Sequence, residues 1–310
     1  LRNRNKVECL STEEMRRFCK VVLQRALLPY LLDLTMTFVQ KLEQSAKDNN
    51  SLVCVGLDPD RAMIPECLSK DADVIFSFNK AIIDATADLV CAYKPQFAYY
   101  AGQNALGSLR KTLTYLRDKY PHIPVILDAK RGDIGSTAVM YAKEAFDHYK
   151  ADAVTVNPYM GTDTLKPFLD DKEKGVIILC RTSNKGSGDF QNLKIEGDGR
   201  RLFEIVAEKA VKDWNYNGNV CLVAGATYPE ELGVIRKIVG DMPLLVPGVG
   251  AQGGDVEAVL THGLNSQGTG LVINSSRGIL YAKKGTDFAA ASREATLLLR
   301  DQINRLRPSR

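Results

Sequence analysis

The chain has 310 residues, 45% hydrophobic and 25% charged, with a formal net charge of +4. This is globular composition with enough chain for a full core, and a single α/β barrel of this length needs no second domain. The small positive excess favours anionic ligands weakly. With Lys and Arg interspersed among Asp and Glu, it argues against nucleic acid as a partner.

Seven cysteines (Cys9, Cys19, Cys54, Cys67, Cys91, Cys180 and Cys221) are scattered, with no CxxC pair and an odd count. Free, mostly buried thiols in a reducing, cytoplasmic setting are the expectation. Three histidines, His122, His148 and His262, argue against a His-rich metal site. His122 in a Pro-flanked loop and His262 at a helix end read as structural or exposed.

Residues 1–35 differ from the rest of the chain. Basic residues Arg2, Arg4, Lys6, Arg16, Arg17 and Lys20 precede an apolar run, Ala26–Leu34. Pro29 and Asp33 interrupt that run and no small-residue cleavage site comes after it, against a signal peptide. It is also too short to span a membrane. It reads as an N-terminal helical extension or a non-native leader, with the main domain over 36–310.

From Met36 strands and helices alternate. Ser51–Gly56 (SLVCVG) reads as a strand ended by Leu57-Asp58-Pro59, and Asp73–Val90 has helical spacing. Cys91–Tyr99 holds a second strand ending near Lys94-Pro95-Gln96, and Gln103–Lys119 is helical. The third strand is the apolar run Pro124–Leu127. The ionisable residues Asp128, Lys130 and Asp133 come directly after it. Residues two apart share a face in an extended chain, so Asp128 and Lys130 are expected to point the same way. Charges at the end of a buried strand are costly unless paired or used. Either an ion pair capping the strand or a site satisfies that condition.

Ser136–Tyr149 reads as a helix, Ala153–Asn157 as a strand, Thr162–Asp170 as a helix and Gly175–Cys180 as a strand. A polar, glycine-containing loop, Thr182–Gly199, precedes the helix Arg200–Asp213. Strands Val220–Ala224, Leu244–Val246 and Gly270–Ile273 come next, with helices Pro229–Val239, Gly254–His262 and Thr286–Arg305. Eight strand-then-helix units with near-continuous apolar strands imply a closed parallel (β/α)8 barrel. An open doubly wound sheet is the alternative, weakened by the lack of GxGxxG after the first strand.

Asp58, Lys94, Asp128, Lys130, Thr182–Ser183, Pro247–Gly250 and Ser276–Arg277 all fall near strand ends. In a barrel these converge on the face where active sites are built. Pro247-Gly248-Val249-Gly250, with Gln252, Gly253 and Gly254 before a helix, offers backbone N–H groups to an anion. Arg277 after the eighth strand can bind phosphate oxygens bidentately. Turn glycines and a surface arginine are the bland reading.

The motifs GLDPD (Gly56–Asp60), YKPQFAYY (Tyr93–Tyr100), LDAKRGDIGST (Leu127–Thr137), NPYMG (Asn157–Gly161), CRTSNKGSGDFQ (Cys180–Gln191), VPGVGAQGGD (Val246–Asp255) and NSSRGI (Asn274–Ile279) occur in this order. Together they resemble the orotidine 5′-phosphate decarboxylase family, in its longer branch, from roughly Met36 to the end. DxKxxD alone is shared with sugar-phosphate enzymes of the same superfamily. The resemblance implies a cofactor-free, metal-free barrel that dimerises with shared active sites. It implies conversion of orotidine 5′-monophosphate to UMP and carbon dioxide.

Carried over by position, the resemblance gives Asp58 the ribose hydroxyls and places Lys94 in a charged array beside the ribose. Asp128 and Lys130 flank the reacting C6. Asp133 and Thr137 enter the partner subunit's site. Ser183 bonds the pyrimidine, and Gln252 and Arg277 hold the phosphate, with Pro247 and Ser276 also binding substrate. Gln252 also reaches towards Ser183. The Gly186–Gln191 loop closes over the ligand. Lys185 stands where relatives often carry Pro, a departure that bears on the loop's stiffness.

The family also occurs alone or fused, in either order, to orotate phosphoribosyltransferase, so an organellar location is expected if the chain is part of such a fusion. Two other readings differ in kind. One is a metal-dependent sugar-phosphate lyase or synthase, against which the TSN loop and phosphate motif argue. The other is a nucleotide-binding module without turnover, against which the intact Asp128, Lys130 and Asp133 argue.

Overall fold

A computed structural model describes residues 36–249 and 254–308. The expected N-terminal extension and Gln252 lie outside the described residues. The strands are β1 Val53–Leu57, β2 Ala92–Pro95, β3 Ile126–Arg131, β4 Ala153–Val156, β5 Gly175–Arg181, β6 Val220–Ala224, β7 Leu244–Pro247 and β8 Leu271–Ser275. The helices are α1 Phe38–Asp48, α2 Val74–Thr86, α3 Leu106–Lys119, α4 Gly135–Lys143, α5 Thr162–Leu169, α6 Leu202–Lys209, α7 Pro229–Val239, α8 Val256–Gly263 and α9 Phe288–Leu306. All eight strands are parallel, in the order β2-β1-β8-β7-β6-β5-β4-β3. Bridges Tyr93–Val125 and Gln96–Asp128 join β3 back to β2, closing the barrel. The expected (β/α)8 barrel is the fold found.

Side-chain alternation sorts each strand between two cores. In β1, Cys54 faces inward while Val53, Val55 and Leu57 pack under the helices. Ile177 of β5, Cys221 and Val223 of β6, Leu245 of β7 and Val272 of β8 share the inner set. Their neighbours Val176, Ile178, Leu222, Leu244, Leu271 and Ile273 join the outer one. Burial on both faces explains why these strands read as continuous apolar runs.

The barrel's lower end is closed by α1, a helix with no counterpart in the strand-helix count. It starts with a capping box: Thr37 Oγ1 accepts from Gln40 N–H, and Gln40 Oε1 accepts from Thr37 N–H. Its Phe38 and Leu42 enter the inner core. Phe38 lies where a side chain on residue 175 would go: a Cβ on Gly175 would sit 2.1 Å from the ring. Glycine is therefore needed at the start of β5. Lys41 Nζ holds the helix down through Asp152 Oδ1 at 3.0 Å.

Two helices expected to run unbroken change character at their ends. Glu144–His148 after α4 and Ala210–Trp214 after α6 are π-helical turns. Trp214 is buried there and its Nε1–H donates to Thr162 Oγ1 at 3.0 Å. Periodicity alone does not mark a one-residue widening of a helix.

Candidate active site

The inward positions continue up each strand and turn polar at the carboxyl end. Above Cys54 stand Gly56 and Asp58. Above Ala92 are Lys94 and Gln96, above Ile126 is Asp128, above Ala153 is Thr155, and above Val272 are Asn274 and Ser276. All of these except Gly56, with Lys130, Ser183, Pro247 and Arg277, line a cleft of about 480 Å³ at the barrel mouth. Gly56 has no room for a side chain, since a Cβ would sit 1.9 Å from Ser276 Oγ.

An alternating line of charge crosses the cleft. Asp58 Oδ1 lies 4.0 Å from Lys94 Nζ, Lys94 Nζ donates to Asp128 Oδ2 at 3.0 Å, and Lys130 Nζ donates to Asp128 Oδ1 at 2.6 Å. Burial works against charge on Asp128, but Lys94 and Lys130 hold its carboxyl well below the usual carboxylate range. Burial likewise opposes charge on Lys94, and Asp128 and Asp58 more than offset it, raising its pKa. Burial pushes the Cys54 thiol beneath this line up to about 12 against the pull of Lys94, so it is a neutral filler and not a nucleophile. The two lysines differ in access. The Lys94 side chain is 4% exposed and the Lys130 side chain 46%.

Lys130 is not in extended conformation. Its φ is +47°, in the left-handed region, so the two-residue rule is not what brings it to Asp128. The β3–β4 register supplies the reason: Leu127 pairs with Val154 and Arg131 with Val156, leaving extra β3 residues between them. The bulge re-aims Lys130 towards the carboxylate.

Ser183 and Pro247 stand on the opposite wall. Gly225 allows Ser183 close, since a Cβ there would lie 2.8 Å from Ser183 N. Gly248 turns the chain after β7 with φ +100°. The start of α8 is capped by Asp255, whose carboxylate accepts Glu257 N–H at 3.0 Å. The anion-attracting helix start expected there thus already holds a carboxylate. Gly248 and the exposed, cleft-lining Arg277 remain as the anion-facing features among the described residues.

Asp133 and Thr137 do not line this chain's own cleft. Asp133 accepts its neighbour's N–H, from Ile134, at 2.8 Å, and Thr137 is exposed on α4. Exposed apolar side chains follow them in sequence, Ile134 at 61% next to Asp133 and Met140 at 63% one turn after Thr137 on α4.

Two groups of residues were not singled out from sequence. Thr155 donates to Asp128 Oδ1 at 2.8 Å and accepts Lys130 N–H at 2.9 Å. Arg181, 2% exposed, is the anchor of the loop that carries Ser183. It donates to Glu231, to Ser187 Oγ and to the Thr182 carbonyl, and lies 4.0 Å over the Tyr228 ring. Gln191 clamps the same loop, accepting Thr182 N–H at 2.9 Å and donating to Thr182 Oγ1 at 3.0 Å. The polar, glycine-containing loop thus contains short helical turns, Lys185–Ser187 and Gly188–Gln191, tied to the barrel. An arginine at the end of a buried strand is the one sequence signal that could have flagged this network.

No group of three or more His, Cys, Asp or Glu residues arranged to hold a metal occurs among the described residues. Residues 51–292 match the family model described as Orotidine 5'-phosphate decarboxylase / HUMPS family. The chain is 58% identical over 272 residues to orotidine 5′-phosphate decarboxylase of Ralstonia pickettii, covering 88% of this chain and 100% of that protein. It is 56% identical over 271 residues to the Cellvibrio japonicus enzyme of the same name, covering 87% of this chain and 98% of that one. Among solved structures, Leishmania donovani OMP decarboxylase superposes with a TM-score of 0.75 at 42% identity, covering 87% of this chain and 99% of that chain. Leishmania donovani UMP synthase gives 0.78 at 43% identity, with 88% of this chain matching 57% of that longer one.

Proposed function

This chain belongs to the orotidine 5′-phosphate decarboxylase family, and on that premise we propose that Lys130 is the group on which its reaction turns. The chain is a carboxy-lyase that converts orotidine 5′-monophosphate to UMP and carbon dioxide in pyrimidine nucleotide synthesis. The single observation carrying the Lys130 role is the contrast between two lysines on one carboxylate. Lys94 is buried, while Lys130 Nζ reaches the open cleft. Of the two lysines, Lys130 is the one whose side chain stands open to a ligand in the cleft.

When the C6–carboxylate bond breaks, its electron pair stays on C6, in the plane of the ring. The Lys130 ammonium beside it stabilises that charge and then transfers a proton to C6, forming the C6–H bond of UMP. Lys130 is reprotonated from water. Asp128 holds the ammonium at 2.6 Å and, facing the substrate carboxylate, opposes the ground state. Lys94 neutralises Asp128 from the buried side. Nothing in this scheme calls for a metal or an organic cofactor.

In this reading Asp58 and Lys94 bind the ribose. Asp58 Oδ1 is buried with no hydrogen-bond partner in the protein, as expected of an oxygen awaiting a ligand hydroxyl. Ser183 bonds the pyrimidine, and Gln252 and Arg277 hold the phosphate, with Pro247 and Ser276 lining the approach. Phosphate grip fastens the 182–191 loop over the ligand and brings remote binding energy to C6. Asp133 and Thr137 serve the site of a second subunit, a role supported by their place outside their own cleft and by the exposed Ile134 and Met140 close to them in sequence.

The likeness to part of a UMP synthase supports a working partnership, covalent or not, with an orotate phosphoribosyltransferase. Cys54, Cys67, Cys91, Cys180 and Cys221 are free thiols, consistent with a cytoplasmic setting, or an organellar one within a larger fusion. Among the described residues no helix is long and apolar enough to cross a membrane.

The test is loss of orotidine 5′-monophosphate absorbance with a chelator present. Wild type should turn over undiminished. Lys130→Ala should lose at least about 10²–10³ in rate, a typical loss for one electrostatic donor, and more because the proton source goes too. It should still bind UMP. A Lys130→Ala protein with a tenth of wild-type turnover would remove Lys130 from the chemistry.

A further inference from the structure

The left-handed backbone of Lys130 needs something to hold it. A residue with a Cβ avoids φ near +47°, and this one stands in a bulge where the β3–β4 ladder is interrupted between Leu127 and Arg131. Inside such a gap the Lys130 N–H has lost its ladder partner, and a partly buried amide gains by finding another. It finds Thr155 Oγ1 at 2.9 Å, on a side chain that is 1% exposed. The same hydroxyl is 2.8 Å from Asp128 Oδ1, the oxygen that also accepts from Lys130 Nζ at 2.6 Å. An ionised carboxylate only accepts, so the hydroxyl proton points to Asp128 and the oxygen lone pair is left for the Lys130 amide. Backbone and ammonium of Lys130, the Asp128 carboxylate and Thr155 therefore form one closed ring of hydrogen bonds.

We propose that Thr155 is a positioning residue: its hydroxyl, used as donor and acceptor at once, locks the Lys130 backbone and the Asp128 carboxylate in the arrangement that presents the ammonium to C6. It rests on the Lys130 reading above. Valine matches threonine in shape but has neither a proton to give nor a lone pair. Serine keeps both and loses only a methyl. Other hydroxyl-free side chains share valine's defect whatever their size, so Thr155→Ala is a second probe should Thr155→Val fail to fold.

The experiment measures kcat, KM, UMP affinity and exchange of the C6 hydrogen of bound UMP into D2O for Thr155→Val, Thr155→Ala and Thr155→Ser, beside Lys130→Ala. Exchange is the proton step run backwards, and it reports on Lys130 without the carbon dioxide step. Loss of a hydrogen bond to a charged group predicts a kcat lower by roughly 10- to 100-fold for Val and Ala. Exchange should fall in parallel, while KM and UMP affinity stay within about threefold, since uniform binding is untouched. Ser should recover most of the rate. Val or Ala variants with wild-type kcat and exchange, while Lys130→Ala is inactive, would overturn the Thr155 role alone. A Ser variant as slow as Val would do the same, since it would assign the loss to packing. An active Lys130→Ala would instead overturn the reading on which the role rests.

Discussion

Lys94→Met tests whether the buried half of the charge line is there for balance. The substitution keeps length and apolar stem while removing the ammonium that is 3.0 Å from Asp128 Oδ2 and 4.0 Å from Asp58 Oδ1. Removing one partner of a buried pair typically costs about 3–5 kcal/mol, because the other charge stays buried. Asp128 keeps Lys130 and Thr155, which puts the expectation near about 3 kcal/mol at neutral pH. With a urea slope of roughly 3 kcal/mol/M, the unfolding midpoint should fall by about 1 M.

The pH dependence has a definite sign. In wild type the Asp128 carboxyl is held below its unfolded value of about 3.9, so its contribution is present above that pH and lost as pH falls through the folded pKa. Without Lys94, burial works less opposed and the folded pKa rises. A cost of about 3 kcal/mol corresponds to about two pKa units, so the gap between the two proteins should stay level from pH 7.5 down to about 4 and narrow only below that, as pH falls through the variant's raised folded pKa. Urea unfolding at fixed protein concentration, at pH 7.5 and in steps below pH 4, measures it. A Lys94→Met as stable as wild type at pH 7.5, or a gap that does not narrow in acid, would refute the account of this array.

Arg277→Ala should lower kcat/KM for the phosphorylated substrate by tenfold or more and change turnover of phosphate-free orotidine little; equal losses on both would take Arg277 out of the phosphate site. Lys130→Ala and Asp133→Ala proteins should each be nearly inactive, yet mixing, dissociating and reassociating equal amounts should restore roughly a quarter of all sites if Asp133 serves the other subunit. Activity that stays at the level of the separate variants after verified subunit exchange would show that Asp133 acts only within its own chain. Phe38→Ala should empty the barrel floor against Gly175 and cost about 3–5 kcal/mol in unfolding while leaving KM near wild type, because Phe38 fills the inner core and does not line the cleft at the mouth.

The barrel was legible because its strands are buried on two faces and therefore lack polar residues until they reach the mouth. The break in that rule at Asp58, Lys94 and Asp128 marks where the inward face stops being core, and all three line the cleft. What could not be read depends on partners distant in sequence. Arg181 and Glu231 meet across 50 residues, so the anchor of the 182–191 loop leaves no local pattern. Phe38 explains Gly175, but only after the chain has closed and brought α1 under β5.

Lys130 shows the same limit at shorter range. Its place two residues after Asp128 suggested a shared strand face, and the two do meet, but through a left-handed turn inside a bulge. The bulge is set by how β3 pairs with β4, a property of two strands that neither sequence contains alone. Thr155 was equally hidden, because threonine in AVTVN is an ordinary strand former and its hydroxyl has a task only once the neighbouring ladder is interrupted. The features that concentrate chemistry at the mouth are thus departures from the regular strand, and they require the regular strands beside them to hold their shape. An ammonium aimed by a strained residue is useful only if it cannot relax. Here relaxing Lys130 would strand its amide in the barrel wall and strip a donor from Asp128, which ties the geometry of the site to the stability of β3 and β4.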